Sequence, residues 1–176
     1  MHHTFERIER AFTYTDQQLM KAGNLPLWST SAGFWSPSIL REANDVFTHF
    51  SLQSYNHFLD LGSGDGRVVL LASLFTKHAT GVEIDEQLHN RALEMQNYLG
   101  VTNATFHNKN FHEHNLSGHD IIFINPDSPF YRGTEKKLMR ELHGKLIVLG
   151  HHFHPQQLRK IGEYIRDGVY AAMYRV

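Results

Sequence analysis

The sequence predicts an α/β fold: a doubly wound, mostly parallel sheet with N-terminal helices and a C-terminal antiparallel β-hairpin. Three observations carry this reading. An apolar run, Phe58-Leu-Asp-Leu61, passes straight into a tight glycine cluster, Gly62-Ser-Gly-Asp-Gly66. A second apolar run ends in Glu83, 21 residues after Gly62, the spacing of one βαβ unit. From residue 57 onward strand-like and helix-like patterns alternate, and the chain closes on Asp167-Gly168, a hairpin turn signal.

Taken in order, residues 4–22 carry Phe5, Ile8 and Phe12 at helical spacing, then Leu19 and Met20, which predicts one helix or two. Gly23-Asn-Leu-Pro26 breaks the pattern. Residues 27–36 read as an irregular aromatic stretch with Trp28, Phe34 and Trp35, so 1–36 forms an N-terminal helical or lid segment. Ser36-Pro37 reads as an N-cap and first helical residue, opening a helix whose apolar stripe runs from Ile39 to Phe50. Strand His57–Leu61, helix Arg67–Phe75, strand Thr80–Ile84 and helix Glu86–Leu99 follow, the last closed by Gly100. A short strand spans Ala104–His107. Asp120–Asn125 has no polar alternation and predicts a central strand covered on both faces. Helix Thr134–His143, stopped by Gly144, precedes a buried strand, Lys145–Gly150. Glu163–Arg166 and Val169–Tyr174 form the hairpin.

At 176 residues the chain is expected to be one domain, with a monomer as the default assembly. Hydrophobic residues make up 41% and charged residues 20%, an ordinary globular balance. A net charge of -1 gives no general pull toward nucleic acid or anionic membrane. The absence of cysteine removes disulfides and thiolate metal sites. No signal-peptide layout and no membrane-length apolar run are present, so a cytoplasmic location is expected. His112 with His114, and His151 and His152 with His154, lack the spacing of a helical ligand pair, and no metal site is expected.

The glycine cluster has the form Gly-x-Gly-x-Gly, and Arg67 stands where a dinucleotide fingerprint needs its third glycine. That disfavours a nicotinamide oxidoreductase. Glu83 at a strand end can accept both hydroxyls of a ribose, and Ile84 beside it offers an apolar face to an adenine.

Asp60-Leu-Gly-Ser-Gly-Asp-Gly66 and Gly81-Val-Glu-Ile-Asp85 resemble the first two motifs of the class I S-adenosylmethionine-dependent methyltransferases, with a Rossmann-like methyltransferase fold over roughly residues 34–176. The resemblance implies S-adenosyl-L-methionine as cofactor. It implies that the backbone of Gly62, Ser63, Gly64 and Gly66 lies along the methionine part, with Asp60 near it, and that Glu83 holds the ribose. It implies an adenine contact from Asn110 with Phe111 packed nearby, and Trp35 and Asn125 bordering the cofactor.

A narrower resemblance is to the small protein-lysine methyltransferases of archaea and mitochondria, the family that includes the methyltransferase of the ATP synthase c subunit. Asp60–Val69, Glu135–Leu149 and Trp35-Ser36-Pro37 carry it. This implies a protein lysine, or a small-molecule amine, as acceptor. One stretch departs from that family: Asn125-Pro126-Asp127-Ser128-Pro129-Phe130-Tyr131. Asn-Pro at this place resembles methyltransferases that act on amide or nucleobase nitrogens, where the Asn and a proline carbonyl accept bonds from the target nitrogen. For an amine, Asp127 is the nearest acceptor of the lysine proton. Phe34, Trp35, Phe130 and Tyr131 are candidate channel walls that can contact an ammonium through their faces. Asp127 and Asn125 are therefore the expected catalytic residues. A third reading is a non-catalytic module that retains the cofactor.

Overall fold

The computed structural model describes residues 4–30, 33–130 and 133–176. Seven strands form one sheet in the order β5-β4-β3-β6-β7-β9-β8. They are β3 (His57–Leu61), β4 (His78–Glu83), β5 (Ala104–Asn108), β6 (Ile121–Ile124), β7 (Lys145–Leu149), β8 (Arg159–Arg166) and β9 (Val169–Arg175). The first five are parallel, and β9 and β8 complete the sheet antiparallel. The strand order reverses at β3, which has β4 on one side and β6 on the other. Ligands in open α/β sheets bind beyond the carboxyl ends of strands at such a switch point.

The sheet separates two apolar layers, as period-two strands require. Phe58, Ile121, Phe123 and Ile147 face one layer, packed against Ile8 and Phe12 of α1 (Phe5–Lys21), Ala43, Val46 and Phe47 of α2 (Leu40–His49), α3 (Arg67–Ala72) and Ala92 of α4 (Glu86–Leu99). Phe47 sits edge-on to Phe58 at 5.4 Å and to Phe123 at 5.5 Å, joining α2 to the middle of the sheet. Leu59, Leu61, Ile122, Ile124, Leu146 and Val148 face the other layer, where Leu138 of α5 (Thr134–Glu141), Leu116 and Leu158 cover them.

Residues 4–22 form one helix, capped at its start by Thr4 and ending at Lys21. The irregular aromatic stretch is instead a short antiparallel hairpin, β1 (Trp28–Ser29) with β2 (Phe34–Trp35). Ser36-Pro37 does not open α2. The helix begins at Leu40, and its N-cap Ile39 makes no side-chain cap. The physical reason is tertiary. Ser38 Oγ accepts a 3.2 Å bond from Nδ2 of Asn125, which draws this segment toward the end of β6. The helix after the glycine cluster ends at Ala72, short of Phe75. Among the described residues no helix is long and apolar enough to cross a membrane.

Candidate active site

A cavity of about 330 Å³ opens at the switch point, lined from the ends of β3, β4, β5 and β6 and from residues 33–38. Its floor is the loop after β3. Gly62 takes φ +79°, and a Cβ there would meet nothing within 4 Å, so bare backbone faces the open space. Gly66 serves a different purpose. It has φ +81°, and a Cβ would lie 2.7 Å from Cβ of Ala92 and 2.8 Å from Cζ of Phe106. It lets α3 start hard against α4 and β5. Gly64 lies under the Trp35 indole, where a Cβ would collide with Nε1.

Glu83 ties the loop to the next strand. Its Oε2 accepts from the backbone N–H of Gly64 at 2.8 Å, and its Oε1 from that of Asp85 at 2.8 Å. Each oxygen retains a second lone pair, enough to accept from two vicinal hydroxyls. Asp60 is buried beside it. Burial, then the nearby charges of Glu83 and Asp65, raise the Asp60 carboxyl well above the usual range. Ser63 borders the cavity, but its Oγ is buried without a partner and points at Gly81, where a Cβ would lie 2.7 Å away. What Ser63 presents to the cavity is backbone.

At the β4–β5 end of the cavity Ile84 is half in solvent, with Leu88 and Phe111 lining the same wall. Asn110 is also here, and its Oδ1 accepts from His112 N–H at 2.9 Å, capping the turn after β5. Its amide therefore reaches the cavity already oriented.

At the opposite end, Asn125, Pro126, Asp127 and Phe130 meet Phe34 and Trp35. Asp127 Oδ2 accepts from Phe34 N–H at 3.1 Å, clasping the hairpin to the loop after β6. Asn125 donates its Nδ2 to Ser38 Oγ at 3.2 Å, and its Oδ1 is an acceptor. Phe130 is buried in the second layer while one side lines the cavity; Phe34 is exposed. Tyr131 lies outside the described residues.

Sequence reasoning missed the ion network behind the loop. Arg67 Nη2 and Nε donate to Asp65 at 2.7 and 3.1 Å, and Nη2 and Nη1 donate to Asp16 of α1 at 2.9 and 3.1 Å. The guanidinium also lies 4.9 Å above the Phe12 ring. Burial works against its charge, but Asp65 and then Asp16 outweigh it and raise the pKa. The signal was in the sequence as a long cation at the third-glycine position; its partner on α1 was not. Among the described residues no group of three His, Asp or Glu is placed to hold a metal ion.

The geometry fits S-adenosylmethionine: open backbone at Gly62, a carboxylate with spare lone pairs at Glu83, an apolar wall, and an acidic surround for a cation. A family model described as histone methylation protein DOT1 matches residues 37–128, more than half of the chain. The chain belongs to this family. It is thus an S-adenosylmethionine-dependent methyltransferase of class I, and the matched region runs from Pro37, just before α2, through Ser128. None of the curated proteins matches this DOT1-family chain. Among solved structures, an RNA methyltransferase from Salinibacter ruber in complex with S-adenosyl-L-homocysteine is 19% identical, with a TM-score of 0.69 over 79% of this chain and 92% of that one. A SAM-dependent methyltransferase from Aquifex aeolicus is 16% identical, with a TM-score of 0.57 over 75% and 88%. At these identities the likeness is one of fold.

Proposed function

We propose that this DOT1-family chain methylates the side-chain nitrogen of a lysine in a protein. The observation that carries the reading is Asp127, an acid at the acceptor end of the cavity beside Phe34. The family's description, and the resemblance of residues 60–69 and 135–149 to small lysine methyltransferases, support it. When bound, S-adenosylmethionine supplies an electrophilic methyl group on a sulfonium.

In this reading the protein's own residues bind, align and take a proton. Glu83 accepts the ribose hydroxyls, and the Gly62 backbone lies along the methionine portion. Ile84 and Phe111 enclose the adenine, and Asn110 offers it a polar edge. Phe34, Trp35 and Phe130 surround the lysine and exclude water. A lysine ammonium has a reference pKa of about 10.4 and must be deprotonated before attack. Desolvation between the rings lowers that value, and Asp127 accepts the proton. The rest of the rate comes from holding nitrogen and methyl carbon in line.

A second reading rests on Asn125, whose Nδ2 donates to Ser38 and whose Oδ1 would accept from an amide or nucleobase nitrogen. The two readings separate in one experiment. Incubation with methyl-labelled cofactor and fractionated lysate, then hydrolysis, gives labelled methyl-lysine under the first. Label in methylated glutamine or in nucleobases overturns it in favour of the second. A wild-type protein that binds cofactor and transfers no label overturns both and leaves a binding module.

A further inference from the structure

Gly33 ends the turn of the β1–β2 hairpin, and its carbonyl is held there twice. Thr30 donates to it from the backbone N–H at 2.7 Å and from Oγ1 at 3.0 Å. The next N–H in the chain, that of Phe34, donates to Oδ2 of Asp127. The Asp127 carboxylate fills the place where a Gly33 side chain would stand. A Cβ there would overlap Oδ2 and lie 3.0 Å from Cγ, but 3.6 Å from Oδ1, an ordinary contact. The hairpin is seated elsewhere too: the Trp35 indole lies on Gly64, where a Cβ would collide with it. A side chain at position 33 therefore displaces the carboxylate, the free end of an exposed residue, before it displaces the hairpin. Asp127 lies within the residues that the family model matches, and Gly33 lies before them.

We propose that Gly33 is a positioning residue for methyl transfer: its missing side chain is the space in which the Asp127 carboxylate sits, fixed through Oδ2 on the Phe34 N–H so that Oδ1 serves the acceptor amine. This rests on the reading of Asp127 as the group that takes the lysine proton. A carboxylate held through one oxygen by a backbone donor keeps the other for a second donor. The ammonium proton passes to Oδ1, and the freed lone pair of the lysine nitrogen takes the methyl group, with the electron pair of the broken bond staying on sulfur. Asp127, exposed at the mouth, then returns the proton to water. A general base works only within about 2.6–3.2 Å of the proton's donor atom, and a shift of about 1 Å is costly. Gly33 touches none of the reacting atoms in this scheme and acts through Asp127.

Gly33→Ala and Gly33→Ser, each made in the wild type and in Asp127→Asn, test this. Asparagine has the shape of aspartate, so a side chain at position 33 disturbs the hairpin equally in both backgrounds, and any backbone strain is shared. Only the loss of a positioned base differs. Initial rates of methyl-lysine formation are read with methyl-labelled cofactor and the lysate fraction that accepts label, across about pH 6–9. Calorimetry gives the affinity for S-adenosylhomocysteine. In the wild-type background the rate near neutral pH is expected to fall about tenfold or more, a deficit that shrinks as pH rises and the amine deprotonates by itself. In Asp127→Asn the same substitution costs less than about twofold, and S-adenosylhomocysteine affinity moves by less than about twofold throughout. An unchanged rate in whichever of the two variants folds overturns the proposal. So does an equal loss in both backgrounds, or a loss of S-adenosylhomocysteine affinity that matches the loss of rate. Full rate in Asp127→Asn with Gly33 intact overturns the reading of Asp127 as base, a different outcome.

Discussion

The backbone N–H of Gly64 donates to Oε2 of Glu83 at 2.8 Å, across 19 residues of chain. One carboxylate therefore closes the glycine loop after β3 onto the end of β4, and the same side chain faces the cavity. In the proposed reading loop shape and ligand recognition are coupled in this residue. A change at Glu83 disturbs both, whereas changes at the glycines separate them.

Gly66→Ala is expected to destabilise the fold without touching the cavity. Its Cβ would fall 2.7 Å from Ala92 and 2.8 Å from Phe106 at φ +81°. Left-handed strain and overpacking together cost about 2–5 kcal/mol. Gly62→Ala meets no neighbour within 4 Å. It is expected to cost only the backbone strain, about 1–2 kcal/mol, and to lose cofactor affinity instead. Urea unfolding read beside ligand titration of the two variants checks the contrast; equal stability losses contradict it.

Asp127 both clasps Phe34 and, in the proposed reaction, takes a proton. Asp127→Asn keeps an oxygen for the Phe34 N–H and removes the base. Turnover is expected to fall about 100-fold near neutral pH, the scale of general base catalysis. The deficit should shrink as pH rises and the substrate amine deprotonates by itself. A rate unchanged across about pH 6–9, the range bracketing these titrations, assigns Asp127 to the clasp alone.

Asn125→Ala tells the two acceptor classes apart. For a lysine acceptor Asn125 positions the 36–39 segment through Ser38, and a loss of about tenfold or less in kcat/KM is expected. For an amide or nucleobase nitrogen Oδ1 touches the reacting atom, and about 100-fold or more is lost. Steady-state kinetics on the substrate found by labelling decides between them.

His114 gives the fold an acid-sensitive point. Its ring lies 5.3 Å from that of His107 and 5.5 Å from that of His119, and both its nitrogens are buried without a partner. Burial, then Lys109, His119, His107 and Lys137, lower its pKa to about 4. The unfolded chain has a value near 6.5, so between these limits the unfolded state binds more protons. The stability His114 contributes is full above about pH 6.5 and is lost as pH falls toward 4. His114→Asn is expected to flatten the pH dependence of the melting temperature in that window. The same slope in variant and wild type would contradict the assignment. Asp60, shifted upward, works in the opposite direction in both proteins and cancels in the comparison.

The parallel core of the fold was legible because local signals and tertiary structure agree there. Phe58–Leu61 and Ile121–Ile124 are buried on both faces, and Asp85 and Gly100 bound α4 as their residue types require. That Gly62 and Glu83 meet at one cavity was legible for the same reason: both sit at strand ends in one βαβ unit. The segment from 27 to 39 was not. Ser36-Pro37 has the local chemistry of a helix start, but the Asn125–Ser38 bond and the Asp127–Phe34 clasp draw that stretch across the cavity mouth. Both bonds span more than 80 residues, and no local pattern encodes them. Asp16 was hidden likewise, since its partner Arg67 lies 51 residues away.

The most direct measurement is calorimetric titration of S-adenosylhomocysteine into the wild type and into Glu83→Ala. Glu83 makes the loop clamp and, as proposed, offers the ribose its acceptors, so the wild type is expected to bind and the variant to lose at least about tenfold in affinity, the scale of one charge-assisted contact. No binding by the wild type, or equal affinity in the two proteins, would contradict the assignment of this cavity to the cofactor.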